Sequence, residues 1–363
     1  MSEVQTLDDY LSRRFEPVDP VSIEIPVPPQ RHVEWWRAGP AAPGATVEDL
    51  VSEVAQFRID VAEGASKSAK YRRLVLAAGP PAREDVAAGP VFTSPETVDV
   101  WIHEHDAGPL PVVRCGDRRD FERCFHALAG RCEPVEVPVA VHALYLAGLP
   151  NPTRTRALHN AWLANGGLES DWPIEMRRLK TEDRTTFHDQ VVLVHDAPYA
   201  GLDASDVDPD YSSDEWIERS RILRLEHECT HHATDRLLGS YRLHVLDELL
   251  ADLMGFTKAT GRFEAAVFLA GLGIHGRDVT PDGRLWTYIG DMDRAGIGDL
   301  VDVTTRIAAN LETIAPLFIT DDRRRLRRLL VLASDGMDRL QDADWPDRFS
   351  TRIEADEKRR MRP

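Results

Sequence analysis

Positive charge is scarce in this sequence, and so are long apolar runs. The 44 lysines and arginines are outnumbered by 61 aspartates and glutamates, which gives a formal net charge of −17. Because such a protein repels phosphate groups, we expect neither nucleic acid nor an anionic membrane surface as a partner. No apolar run approaches the length of a membrane span, and Met1 to Pro20 contains no apolar core of signal-peptide length. We therefore expect a cytoplasmic protein.

Cysteine is also scarce. The cysteines form no C-x-x-C pair, so a cysteine zinc site has no support in the sequence; they are Cys115, Cys124, Cys132 and Cys229. In a reducing compartment we interpret them as buried thiols, with a disulfide among the first three as the alternative.

Enough apolar sequence is present to form a sizeable core. The 363 residues are 42% hydrophobic and 29% charged, which is typical of a globular protein, and this length favours two subdomains. We predict an α+β fold. It would comprise an N-terminal α/β region at 1–150 with a small mixed sheet, a mainly helical domain at 151–345, and a charged, loose tail at 346–363.

Hydrophobic periodicity and the positions of glycine and proline locate the secondary structure. The first 43 residues are predicted to form an extended arm with one strand. The predicted strands lie at 22–28, 71–77, 98–103, 110–114, 135–141 and 186–195. The predicted helices lie at 46–62, 120–128, 154–164, 212–239, from 241 onward, 263–272, 297–318 and 321–340.

The predicted helix at 212–239 contains the motif H-E-x-x-H. His227 and His231 are four residues apart, so in a helix their side chains project the same way and can bind one zinc ion, with Glu228 beside it. Ser212 is predicted to begin the helix in an S-x-x-E capping box, and Gly239 to end it. Packing is predicted on the opposite side of the helix, through an apolar stripe of Ile222, Leu225, Cys229, Ala233 and Leu237.

The next predicted helix supplies two carboxylates that are one turn apart. Because Glu248 and Asp252 follow E-x-x-x-D spacing, Glu248 can complete a zinc site with three protein ligands. Asp252 can then accept a hydrogen bond from the free ring N–H of a ligand histidine. H-E-x-x-H is short enough to arise by chance, and this second pattern favours a metal site over an accident.

The combined pattern resembles the gluzincin metallopeptidases, the group that includes thermolysin, over residues 227–252. The resemblance implies a zincin-like fold for the helical domain. It implies that His227, His231 and Glu248 are zinc ligands, that Glu228 is the general base, and that Asp252 is the partner of His227.

The sequence departs from the gluzincin pattern in two places. Sixteen residues separate His231 from Glu248, slightly fewer than in thermolysin, and Asp247 stands where asparagine is common. The longer string H-E-C-T-H with L-D-E-L-L-A-D-L-M-G is also similar to an uncharacterised bacterial family.

Other ligand sets remain open. His244 lies one turn before Glu248 and could replace it, although we favour a role on the surface or behind a ligand. A fourth protein ligand, either His244 or Asp247, would close the site and make it structural rather than catalytic. His232 projects away from His227 and is interpreted as a packed or capping residue.

A zinc site of this kind predicts a hydrolase in which Glu228 activates a zinc-bound water. We expect a peptide or amide bond in a specific small substrate, because a general protease in the cytoplasm would threaten its host. The group that stabilises the oxyanion would be His275, Arg277 or Tyr288, and the sequence does not choose among them. The alternatives are a zinc enzyme of another class, such as a lyase or transferase of a biosynthetic pathway, and a non-enzymatic, metal-stabilised binding module.

Overall fold

The chain forms two compact units. The computed structural model describes residues 6–85, 91–183, 185–290 and 292–360. The first unit, here called the sheet unit, is Pro28–Asp196; the second, the helical unit, joins the N-terminal segment through Val27 to the chain from Ala197 onward. The division falls at Asp196 and not at the predicted residue 150, because the strand that ends at His195 belongs to the sheet of the first unit.

Helices occur throughout both units, joined by shorter 3-10 turns and a π-helical segment at Arg72–Leu76. In the described residues the α-helices are α1 (Leu7–Leu11), α2 (Arg31–Ala38), α3 (Val47–Glu53), α4 (Ala69–Tyr71), α5 (Arg118–Leu128), α6 (Pro152–Ala164), α7 (Trp172–Glu182), α8 (Ala204–Val207), α9 (Ser213–Leu238), α10 (Val245–Ala259), α11 (Ala265–Gly271), α12 (Arg294–Ile314), α13 (Asp322–Leu332), α14 (Met337–Leu340) and α15 (Trp345–Arg360).

A mixed four-stranded sheet organises the sheet unit. Its strands are β1 (Val98–His103), β2 (Leu110–Cys115), β3 (Ala143–Pro150) and β4 (His188–His195), in the spatial order β1-β2-β4-β3. Strand β4 runs parallel to β2, whereas the β1–β2 and β3–β4 pairs are antiparallel. The helical unit has one small hairpin, β5 (Ile274–His275) with β6 (Asp278–Val279). The predicted α+β fold with a small mixed sheet is confirmed.

A paired buried charge anchors α2, α6 and β4 to one another within the sheet unit. Asp189 of β4 is fully buried, and it accepts hydrogen bonds from Trp36 Nε1 at 2.8 Å and from Asn151 Nδ2 at 2.7 Å. Arg154 forms a salt bridge with the same carboxylate at 2.5 Å. Because a buried charge is costly unless it is paired and hydrogen-bonded, these contacts make Asp189 a stable part of the core.

Three predicted strands were wrong. Residues 22–28 form a turn end, bends and irregular chain, since Pro26 and Pro28 cannot donate to a strand ladder. Residues 71–76 are helical, and the buried side chains of Tyr71, Leu74 and Val75 follow helical spacing. Residues 135–141 form no strand, and Val139 is largely exposed. The predicted extended arm at 1–43 contains α1 and α2 in its described part.

The predicted loose tail was also wrong over residues 346–360, which belong to α15. Trp345, Phe349 and Ile353 are buried along one side of this helix, at the four-residue spacing of an amphipathic helix. Residues 361–363 of the predicted tail lie outside the described residues.

Two expectations from composition can be compared with the structure. All four cysteines are buried free thiols, which confirms their interpretation; the closest sulfurs, Cys115 Sγ and Cys124 Sγ, are 3.7 Å apart. Among the described helices, none combines the length and the apolar character that crossing a membrane requires.

Candidate metal centre

Helix α9 carries the H-E-x-x-H motif between two defined ends. The hydroxyl of Ser212 accepts a hydrogen bond from the backbone N–H of Glu215 at 3.2 Å, which confirms Ser212 as the N-cap. The Glu215 carboxylate pairs with Arg219 at 2.8 Å, in contrast to its predicted part in a capping box. Gly239 has φ +68° and ends the helix in the left-handed conformation that favours glycine.

Around the motif, α9 is buried on all sides. Every residue from Glu226 to Asp235 is buried, whereas Ile222 of the predicted apolar stripe is 37% exposed. Helix α10 packs closely against α9 near Gly255, where a Cβ atom would lie only 2.7 Å from the carbonyl oxygen of Leu223. This close approach brings the carboxylates of α10 to the histidines of α9.

His227, His231 and Glu248 meet in one buried cluster. The two histidine Nε2 atoms are 3.0 Å apart; Glu248 Oε2 lies 3.5 Å from His227 Nε2, and Oε1 lies 3.5 Å from His231 Nε2. In a tetrahedral zinc site with bonds of about 2.05 Å, neighbouring donor atoms are about 3.3 Å apart. The donor types and their spacing therefore fit a zinc ion with three protein ligands.

Asp252 orients one of these histidines. Its Oδ1 lies 2.7 Å from His227 Nδ1, the pairing that the sequence predicted, and its Oδ2 accepts a hydrogen bond from the Tyr199 hydroxyl at 2.5 Å. With Nδ1 directed to Asp252, Nε2 of His227 faces His231 and Glu248. Asp252 thus holds the imidazole in the rotation that metal binding through Nε2 needs.

Burial and neighbouring charge set the protonation of this cluster. Burial lowers the pKa of His227, but Asp252, Glu248 and Glu228 outweigh it and raise that pKa to about 9. Burial and the adjacent His227 hold the pKa of His231 well below its usual value. The negative charges that favour a proton on His227 would equally favour a metal cation in the cluster.

Asp252 and Tyr199 keep complementary protonation states. Burial raises the pKa of Asp252, but His227, Arg284 and Tyr199 together hold it below its usual value, so the group is a carboxylate. Burial, with a further contribution from Asp252, raises the pKa of Tyr199, so its hydroxyl stays protonated and donates.

Arg284 reaches the cluster from a 3-10 turn, Arg284–Thr287, which lies outside both motif helices. Its NH2 group donates to Glu248 Oε2 at 2.9 Å, and its NH1 group donates to the Tyr199 hydroxyl at 3.0 Å. The sequence prediction missed both Arg284 and Tyr199, because neither falls in a motif and no spacing relates either residue to the helices that it supports.

A second tyrosine that the sequence prediction missed, Tyr241, lies beside His231. Tyr241 follows α9, and its ring centroid is 5.0 Å from that of His231. Burial raises the pKa of Tyr241, and Glu228 and Glu248 raise it further, so its hydroxyl stays protonated. Glu228 itself is buried, with 6% exposure.

His244 and Asp247, the possible fourth ligands, have other partners. His244 is the N-cap of α10: its Nδ1 accepts a hydrogen bond from the Leu246 N–H at 3.0 Å, and its Nε2 lies 3.1 Å from the Tyr10 carbonyl oxygen. Its ring is buried and stacks on Tyr10, so of the two predicted roles, on the surface or behind a ligand, the surface role is wrong. Asp247 Oδ2 lies 3.4 Å from Arg242 NH2. The group of described residues that could hold a metal ion includes neither side chain.

The three candidate oxyanion donors are placed very differently. His275 and Arg277 are exposed on the β5–β6 hairpin and its turn, and Arg277 pairs with Asp302. The hydroxyl of Tyr288 lies 3.4 Å from Arg284 NH2, and its backbone oxygen accepts a hydrogen bond from the Tyr10 hydroxyl at 3.0 Å. Of the three, Tyr288 is the one in contact with Arg284, which itself donates to Glu248 of the cluster. His232 is fully buried.

Comparison with known proteins assigns the chain to a family. No curated protein and no solved structure matches the chain. One family model matches residues 1–344, a range that includes the sheet unit and every residue of the cluster, and the chain therefore belongs to the family of unknown function DUF7005.

Proposed function

We propose that this protein is a zinc-dependent metallohydrolase of the gluzincin type. The observation that carries the proposal is the buried triangle of His227, His231 and Glu248, with Asp252 hydrogen-bonded behind His227. Two nitrogen donors and one carboxylate form a ligand set typical of catalytic zinc, in which the fourth position is open to water or substrate.

In such a hydrolase, the residues at and around the cluster would have defined catalytic roles. Bound at this site, zinc would lower the pKa of a water molecule and polarise a carbonyl group. Glu228, beside His227 on α9, would accept the proton of the attacking water and return it to the leaving nitrogen. Tyr241 and Tyr288 stay protonated, so either hydroxyl can donate a hydrogen bond to the developing oxyanion.

The contacts of the neighbouring residues favour a catalytic site over a structural one. A structural zinc site normally has four protein ligands. The ring nitrogens of His244 are directed to Leu246 and Tyr10, and Asp247 pairs with Arg242, so neither is presented as a fourth ligand. This arrangement argues against the alternative of a metal-stabilised binding module.

We propose a peptide or amide bond in a specific small molecule as the substrate, and the cytoplasm as the compartment. Four buried free thiols are in keeping with a reducing environment. A zinc hydrolase in that setting must be selective. The net charge of −17 favours neutral or cationic substrates over nucleic acids and other polyanions.

The proposal is tested by metal analysis of the purified protein followed by assays on peptide and amide libraries. We expect one zinc per chain and cleavage of a narrow set of substrates. Glu228→Gln should retain zinc and cleave about 10²–10⁴-fold more slowly, since general acid–base catalysis contributes that much. Glu218→Gln is the matched control, because Glu218 is an exposed residue of the same helix that pairs with Arg221.

Two results would reject this function. A purified protein that binds no zinc would remove the metal centre itself. The second result is a zinc-loaded wild type that cleaves no peptide or amide, although substrate-sized molecules still compete with one another for binding at the site. It would instead favour a zinc enzyme of another reaction class.

A further inference from the structure

A chain of hydrogen bonds links the supports of two ligands of the cluster. Asp252 Oδ1 pairs with His227 Nδ1 at 2.7 Å, and Asp252 Oδ2 accepts from the Tyr199 hydroxyl at 2.5 Å. The Tyr199 oxygen accepts from Arg284 NH1 at 3.0 Å, and Arg284 NH2 donates to Glu248 Oε2 at 2.9 Å. The path thus begins at one proposed ligand, His227, and ends at another, Glu248, without using the metal position.

We infer that Arg284 is a positioning residue that holds Glu248 in its metal-binding orientation and, through Tyr199 and Asp252, couples this orientation to that of His227. The inference rests on the proposed zinc site. It assigns Arg284 no contact with substrate.

The geometry of Arg284 suits this task. A guanidinium group is planar and carries donors in a fixed fork, so NH1 and NH2 can bind two acceptors on different elements at once. Here the acceptors are Tyr199, which precedes α9, and Glu248 on α10. The guanidinium group also lies over the aromatic ring of Tyr199, with Cζ 5.6 Å from the ring centroid. A lysine at 284 would keep the charge without the fork.

The direction in which zinc affinity changes when Arg284 is removed distinguishes a positioning role from a purely electrostatic one. If Arg284 acted only as a positive charge near the metal, its removal would reduce repulsion and strengthen zinc binding. If it positions Glu248, its removal should weaken zinc binding by about 10–100-fold, the usual effect of losing a group that orients a metal ligand.

The experiment measures the zinc dissociation constant of the full chain by competition with a chromogenic chelator. The variants are Arg284→Met, Arg284→Lys, Tyr199→Phe and the Arg284→Met/Tyr199→Phe double variant. Arg277→Met is the matched control, since Arg277 is an arginine of the same segment that is exposed and pairs with Asp302. Circular dichroism and the visible spectrum of the cobalt-loaded protein show whether each variant is folded and how many ligands bind the metal.

We expect Arg284→Met and Arg284→Lys both to bind zinc about 10–100-fold more weakly, with an altered cobalt spectrum. Arg277→Met should stay within about twofold of wild type, as is usual for a surface change. Because Arg284 and Tyr199 act in one path, the double variant should lose less than the product of the two single losses.

Unchanged or tighter zinc binding in folded Arg284→Met would overturn the inference and leave the proposed zinc enzyme intact. Full rescue by Arg284→Lys would also overturn it, because a single ammonium group, without the fork that binds Tyr199 and Glu248 together, would then suffice. Multiplicative losses in the double variant would reject the coupling through Tyr199. A wild type that binds no zinc would be the separate failure of the proposed function.

Discussion

Replacing Asp252 with asparagine removes one oxygen and one charge from the cluster and leaves its shape almost unchanged. Asp252 is fully buried, and its two oxygens serve different partners, His227 at 2.7 Å and Tyr199 at 2.5 Å. An asparagine can accept from only one of them, because its amide nitrogen is a donor. If the amide oxygen stays with His227, the amide N–H faces a Tyr199 oxygen that already accepts from Arg284.

The expected loss follows from these two contacts. A hydrogen bond to a charged group contributes about 1.5–3 kcal/mol, against about 0.5–1.5 kcal/mol for a neutral pair. Replacing two charge-assisted bonds by one neutral bond and one mismatched contact therefore removes at least about 1.5 kcal/mol of stabilisation around His227. Loss of a group that orients a metal ligand usually weakens metal binding by about 10–100-fold, or about 1.4–2.8 kcal/mol, and we expect a loss of zinc binding in this range. Loss of the negative charge acts in the same direction.

Chelator competition at pH 8 measures this change, and Asp247→Asn is the control. Asp247 is also a buried carboxylate of α10, but it pairs with Arg242 and has no contact with His227 in the hydrogen-bond network. Burial raises its pKa to about 7, so at pH 8 it is ionised and its replacement also removes a charge. Zinc binding by Asp252→Asn within about threefold of wild type would refute the role of Asp252. Equal losses in both variants would show that charge alone matters, with no contribution from orientation.

Three further predictions test the site and its surroundings. Tyr241→Phe should lower kcat by about 10²–10³-fold and leave zinc binding unchanged, as expected for loss of an oxyanion donor; an unchanged kcat would leave Tyr288 as the candidate. Zinc added to metal-free protein at about 100 times its dissociation constant should stabilise the folded state by about 2.7 kcal/mol, seen as a higher melting temperature that a chelator reverses. Burial lowers the pKa of His244 to about 3, so in the folded protein this side chain stays neutral where the unfolded chain takes up a proton, below about pH 6.5. The free energy of unfolding should therefore fall by about 2 kcal/mol between pH 8 and pH 5 through this group alone, and urea titrations should show that part of the slope missing in His244→Asn.

Local signals in the sequence predicted the two central helices. The start of α9 at Ser212 and its end at Gly239 follow from the capping hydroxyl and the left-handed glycine, both properties of a few adjacent residues. The one-turn spacings of His227 with His231 and of Glu248 with Asp252 are equally local. Helical geometry alone then puts each pair on one side of its helix.

The remaining parts of the site depend on contacts between distant segments. Arg284 reaches Glu248 across 36 residues, and Tyr199 reaches Asp252 across 53. No periodicity connects such pairs, so a single sequence gives no sign of them. Similarly, the alternating valines around Val139 look like a strand, but pairing needs a partner strand, and the neighbour of β4 is the later segment Ala143–Pro150.

Buried charge gives a reason for metal binding that does not depend on the motif alone. The side chains of Glu228, Glu248 and Asp252 are buried near His227, and each of them raises the pKa of that histidine. The same negative potential would stabilise a cation bound between the two histidines and Glu248. A chance H-E-x-x-H would not bring with it Asp252 hydrogen-bonded to His227 and Arg284 hydrogen-bonded to Glu248, so these surroundings favour a metal site over an accident.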